Sequence, residues 1–130
     1  MKKYKTIETK LAPNAIGPYS QGIITGDLLF VSGQIGLNPE TGELISNRFE
    51  EQARQSIENL KNIILEGGVD LSHVVSVDVF LTDLKNFKLF NQIYQNFFTE
   101  NKPARAVVEV SALPKNALIE IKCIACLKSS

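Results

Sequence analysis

The sequence has a single histidine, two cysteines, no excess of charge of either sign and no long apolar run. Each shortage closes a class of function. One histidine, at position 73, with no Ser or Cys in a recognisable nucleophile setting, argues against a Ser-His-Asp or Cys-His apparatus and against a two-histidine ribonuclease mechanism. The 14 Lys and Arg cancel the 14 Asp and Glu, so no global field gathers nucleic acid or an anionic membrane surface. Apolar runs of a few residues fall short of the ~20 needed to cross a bilayer, and Met1-Lys2-Lys3-Tyr4 leads into no signal-peptide core. These absences predict a soluble, cytoplasmic protein with neither a nucleic-acid nor a membrane partner. Any ligand must be caught by a local charge.

The cysteines, Cys123 and Cys126, form a Cys-x-x-Cys that invites a redox or zinc reading. They sit in the apolar run Ile119 to Leu127, which reads as a strand, and residues three apart on a strand point to opposite faces. No second Cys or His pair completes a zinc set. Two half-buried strand thiols are expected, and no metal.

A chain of 130 residues with 44% hydrophobic and 22% charged residues has the length and composition of one globular domain, spanning 1–130. Gly and Pro are scattered singly where turns are needed. Gly26-Asp27 reads as a turn before a buried strand at Leu28 to Ser32, and Asn38 to Gly42 as a second turn. From Arg48 to Glu66, Phe49, Ala53, Ile57, Leu60 and Ile64 recur at helical spacing, with Asn47 and Glu50 as a capping-box-like start and Gly67-Gly68 as the stop. His73 to Leu81 alternates as a strand with Val75, Val77, Val79 and Leu81 on one face. A second helix runs from about Asn86 to Phe98 on Phe87, Phe90, Tyr94 and Phe97, with Pro103 beyond it. Ala104 to Val110 and Leu118 to Leu127 are expected to form an antiparallel hairpin across Leu113 to Asn116. This order predicts an α+β fold, a mixed sheet with both helices on one face. The open face would carry Val, Leu and Ile, a surface usually covered by another copy of the chain.

Two charges stand out within apolar strands. Arg105, in Pro103-Ala104-Arg105-Ala106-Val107, offers a planar fork suited to a small organic acid; an ion pair, or an edge-strand Arg reaching to water, fits the pattern equally well. Glu120, in Leu118-Ile119-Glu120-Ile121-Lys122, would lie diagonally beside Arg105 if the hairpin set Arg105 opposite Lys122 and Glu120 opposite Val107. Such a carboxylate could orient or deprotonate a water, and a plain salt bridge is equally consistent. Gly17 to Gly22 and Ser32 to Gly36 are turn-prone and rich in hydrogen-bonding groups, without the spacing of a phosphate or dinucleotide loop. His73 reads as a surface residue with no partner by spacing.

Ala15 to Gly22, Phe30-Val31-Ser32-Gly33-Gln34-Ile35, Gln52-Ala53-Arg54-Gln55, Pro103-Ala104-Arg105, Leu113-Pro114-Lys115 and Ile119-Glu120-Ile121 together resemble the Rid (reactive intermediate deaminase) family, close to its RidA-type subgroup, over nearly the whole chain. The resemblance implies a chorismate-mutase-like fold and a homotrimer whose sheets line a central barrel, with sites in the clefts between subunits. It implies hydrolysis of 2-aminoacrylate and 2-aminocrotonate, through their imine tautomers, to 2-oxo acids plus ammonia, without metal or cofactor. By position, Arg105 would clamp the substrate carboxylate and Glu120 position the attacking water, while Tyr19, Gly33 and Asn91 line the pocket. Where many bacterial relatives carry a Cys two residues after the Arg, this chain has Val107, which implies that thiol-based control there is absent and hydrolysis is retained. The competing expectations are a non-catalytic trimeric module that senses 2-oxo acids, against which Glu120 counts because it would weaken anion binding, and an RNA-directed activity, against which the balanced charge counts.

Overall fold

The computed structural model describes residues 3–128. Its strands are β1 (Tyr4–Ile7), β2 (Gly22–Thr25), β3 (Leu28–Gln34), β4 (Val74–Leu81), β5 (Ala104–Glu109) and β6 (Ile119–Cys126), and its helices are α1 (Phe49–Glu66) and α2 (Phe87–Phe97). The strands form one six-stranded sheet in the order β1-β2-β3-β6-β4-β5. All pairings are antiparallel except β4 with β5, which is parallel. This is the mixed α+β sheet that the element order predicts.

The alternation of each strand decides which side meets the helices. Leu29 and Val31 of β3, Val77, Val79 and Leu81 of β4, and Ile119, Ile121 and Cys123 of β6 are buried together with Ile57, Leu60 and Ile64 of α1 and Phe90 and Ile93 of α2 in one core. Each such side chain stabilises the fold by about 1.5–3 kcal/mol. The intervening positions form the other face, where Leu28, Phe30 and Val108 are exposed. Cys123 points into the core and Cys126 to the open face; both are free thiols.

Four expectations need correction. First, β5 and β6 are not a hairpin. β5 pairs with β4, while β6 lies between β3 and β4. Residues 110–118 are too long for a tight turn, and they carry the chain past the end of β4, whose apolar run needs a strand on each edge. Second, α1 has no capping box: Arg48 is its N-cap without a side-chain cap, and the Arg48 N–H donates instead to Ser46 Oγ at 3.0 Å. Glu50 and Glu51 in the first turn complement the helix dipole. Third, a register shift between Val74 and Ser76 turns Val75 out of the core, so it does not share the face of Val77. Fourth, His73 does have partners. Its Nδ1 lies 3.3 Å from Asp70 Oδ1 in a short turn, where that carboxylate also accepts from the Ser72 N–H. The Ser72 bonds, with a smaller contribution from His73, hold the Asp70 carboxyl below the usual range.

Candidate active site

Glu120 is half-buried on β6, between Ile119 and Ile121, so the pleat that sends those two into the core sends Glu120 to the open face. On the neighbouring strand the ladder slips: Val31 pairs with Cys123 but Gln34 pairs with Ile121, so β3 holds one residue more than β6 over that interval. Gly33 lies in this bulge. A Cβ there would come within 2.9 Å of Glu120 Cδ and nearer still to Oε2, so only glycine lets the carboxylate lie against the β3 backbone. Burial pushes the Glu120 carboxyl up, and the Lys122 ammonium partly offsets that. The carboxylate is thereby a better proton acceptor than a solvated one.

Tyr19, Gly33 and Glu120 line one cavity of about 250 Å³, with Ile16, Leu37 and Pro114 among its apolar walls. Tyr19 and Ile16 come from the loop after β1, which is fixed by a buried side chain, Gln21. The Gln21 amide donates to the carbonyls of Thr9 (3.0 Å), Ala12 (3.3 Å) and Pro13 (2.8 Å), while its oxygen accepts from the Thr9 N–H at 2.6 Å. Ser32 holds the same loop, donating from its N–H to the Gln21 carbonyl and from its hydroxyl to that of Ser20. On the other wall Lys115 and Asn116 both adopt φ of 57°, a left-handed conformation uncommon outside glycine, and Lys115 Nζ donates to the Gly42 carbonyl at 2.8 Å.

Arg105 is elsewhere. Its strand partner is Val77, not Lys122, and Val77 in turn pairs with Cys123, whereas Glu120 pairs with Phe80. Arg105 therefore projects on the helix side of the sheet, where its guanidinium lies over the rings of Phe87, Phe90 and Tyr94. It is exposed, at the sheet edge, and its guanidinium has no hydrogen bond or ion pair among the described residues. Asn91 and Tyr94 share with it a cavity of about 500 Å³. Val107, on the same side of β5, packs partly buried against the core.

Thus one chain brings Tyr19, Gly33 and Glu120 together and, separately, Arg105 and Asn91. The expected diagonal contact between Arg105 and Glu120 does not exist within the chain, because it presupposed the hairpin. Sequence reading also missed Gln21, Lys115 and the seat of Arg105. The ring spacing Phe87, Phe90 and Tyr94 was visible as a helix face, but nothing in it told that β5 would run alongside.

The sequence pattern of the family described as "Endoribonuclease L-PSP" matches residues 9–127. A RutC family protein of Pyrococcus abyssi is 50% identical over 93% of this chain and 95% of its own. The human 2-iminobutanoate/2-iminopropanoate deaminase is 42% identical over 93% of this chain and 88% of its own. Among solved structures, that of Escherichia coli TdcF with bound serine superposes with a TM-score of 0.91 at 43% identity, covering 96% of this chain and 99% of that one.

Proposed function

Since the chain belongs to the endoribonuclease L-PSP family, and the human relative that it matches over 88% of that protein's length is named 2-iminobutanoate/2-iminopropanoate deaminase, we propose that it is a cytoplasmic, metal- and cofactor-independent deaminase. It hydrolyses 2-aminoacrylate and 2-aminocrotonate, through 2-iminopropanoate and 2-iminobutanoate, to 2-oxo acids plus ammonia. One observation carries the reading. Arg105 stands at a sheet edge with a full set of unpaired donors, the form of guanidinium that receives a carboxylate in a bidentate pair.

Because Arg105 and Asn91 lie on one side of the sheet and Tyr19, Gly33 and Glu120 on the other, a working site takes one group from each of two copies of the chain. A homotrimer supplies three such clefts, and the exposed Leu28, Phe30 and Val108 of the open face are the apolar surface for its assembly. In that cleft Arg105 clamps the substrate carboxylate and Asn91 borders it. Tyr19 and the Gly33 backbone hold the reacting end beside Glu120. The protonated imine carbon is electrophilic already. Glu120 accepts a proton from water as the oxygen attacks that carbon and returns it to the nitrogen of the tetrahedral adduct; it then takes the proton of the adduct's hydroxyl as the C–N bond breaks, releasing ammonia and the 2-oxo acid. The protein's contribution is position, exclusion of competing nucleophiles and one aligned water.

The test is a coupled assay in which a threonine dehydratase generates the imine in place and 2-oxobutanoate release is followed. Acceleration by the wild type and by neither Arg105→Ala nor Glu120→Gln supports the deaminase. Equal rates in all three, with 2-oxobutanoate still binding the wild type in calorimetry, would replace it with a non-catalytic module that senses 2-oxo acids.

A further inference from the structure

Arg105 has no acidic partner among the described residues, yet its guanidinium has a defined place, and the source of that placement is on α2. We propose that the aromatic row of α2, and Tyr94 above all, is the positioning device of Arg105, holding the cation by ring faces so that its N–H edge stays free for an anion. This deepens the reading of Arg105 as carboxylate receptor and rests on it.

Phe87, Phe90 and Tyr94 fall on one face of α2, at the spacing that stacks side chains along a helix. The Arg105 carbon Cζ lies 4.8 Å from the Tyr94 ring centroid, 5.7 Å from Phe90 and 5.9 Å from Phe87, all within the reach of a cation–π contact. Tyr94 is itself immobilised: it stacks on Phe98 at 4.4 Å and lies tilted against Phe90 at 5.4 Å. Its hydroxyl is buried and has no hydrogen-bond partner among the described residues, so what the residue offers Arg105 is its ring face and not its oxygen. The choice of rings over a carboxylate has a chemical reason. An Asp or Glu at that place would occupy the donors and cancel the charge that substrate needs, whereas a ring attracts the cation without occupying the in-plane donors. Leucine would fill the same space and supply no such field.

The experiment uses the full chain with Tyr94→Phe, Tyr94→Leu and Phe87→Leu, and reads binding of 2-oxobutanoate by calorimetry, kcat and KM in the coupled assay, and the Arg105 Nε–H proton resonance, identified by its loss in Arg105→Ala. Melting and size-exclusion profiles confirm that each variant is folded and assembled. Tyr94→Leu is expected to weaken 2-oxobutanoate binding and raise KM together, by roughly three- to thirty-fold, with kcat nearly kept. The Arg105 proton, shifted upfield by the ring in wild type and Tyr94→Phe, moves downfield in Tyr94→Leu. Tyr94→Phe keeps the face and stays within twofold of wild type. Should Tyr94→Leu fail to fold, Phe87→Leu, at a ring that is 40% exposed, is expected to show a smaller change in the same direction. Wild-type binding and resonance position in the leucine variants, or equal losses in Tyr94→Phe and Tyr94→Leu, overturn the proposal. If the wild type neither binds nor turns over, the deaminase reading fails, while the Arg105 resonance still decides whether the rings hold the cation.

Discussion

Gly33 and Glu120 meet across the β3–β6 ladder so closely that the carboxylate takes the space a side chain on Gly33 would need. The bulge between Val31 and Gln34 brings this about, and it sets the acid beside backbone instead of beside another side chain. Gly33→Ala should therefore displace Glu120 before it unfolds the chain. We expect deaminase activity to fall at least about tenfold, the scale of effect for a misplaced catalytic group, with little loss of stability, because the atoms met are the end of the flexible, half-exposed Glu120 side chain. Turnover and urea denaturation, measured on the same preparation, check the pair of effects. Full activity in the alanine variant would remove Glu120 from the chemistry.

The separation of Arg105 and Glu120 onto opposite faces predicts complementation. Arg105→Ala and Glu120→Gln homo-oligomers should each be inactive. Unfolded together in equal amounts and refolded, they should recover about a quarter of the wild-type activity, because a quarter of randomly assembled clefts pair an intact Arg105 with an intact Glu120 of the neighbour. No recovery in mixed oligomers would mean that both residues serve within a single chain. Arg105→Ala alone should cost ~2–5 kcal/mol of substrate binding and leave assembly intact.

Gln21 should act through the loop that it fastens. Gln21→Glu keeps an acceptor for the Thr9 N–H but turns a carboxylate oxygen toward the carbonyls of Thr9, Ala12 and Pro13. Leaving those contacts unmade in a buried site should cost about 1–3 kcal/mol or more, and Gln21→Ala, which removes both halves of the clasp, should loosen the loop as well. Hydrogen exchange at residues 9–20, read beside KM, checks this: faster exchange with a raised KM is the expected outcome, and unchanged exchange would show that the loop is held by other means.

Alkaline pH should destabilise the fold through two core groups. Burial pushes the Cys123 thiol from 9.0 up to about 12. Burial likewise raises the Tyr94 phenol from 10.0 to about 12, against an opposing pull from Arg105. In the unfolded chain both lose their protons first, so the unfolded state binds fewer protons and stability falls as pH rises from about 9 toward 12. Cys123→Ala and Tyr94→Phe should each flatten that decline in denaturation curves taken across the window. Tyr94→Phe should also be neutral or stabilising at pH 7, since it deletes a buried hydroxyl that has no partner among the described residues.

For Glu120 the sign is the same. Its raised folded value means that the folded state holds the proton longer than the unfolded one, so its contribution is favourable at low pH and is lost as pH rises from the unfolded value through the folded one. Glu120→Gln should accordingly be at least as stable as wild type at neutral pH while inactive, a combination that separates a functional acid from a structural ion pair.

The sequence by itself determined the longer helices and strands, because local periodicity is a local property: the apolar spacing from Phe49 to Ile64 and the alternation from Val77 to Leu81 carry their burial with them; β1 and β2, four residues each, are too short to carry such a pattern and are strands through their pairing. It also determined that Cys123 and Cys126 point apart, and it singled out Arg105 and Glu120 as charges in apolar strands. Only the tertiary structure decided which strands become neighbours. The insertion of β6 between β3 and β4 depends on long-range pairing that no short-range pattern encodes, and with it went the register that would have set Arg105 beside Glu120. The same long-range choice laid β5 along β4, so that Arg105 fell over the rings of α2 and Glu120 over Gly33 on the opposite side of one sheet. Residue types are chosen by chemistry along the chain, whereas proximity is chosen by the packing of distant segments.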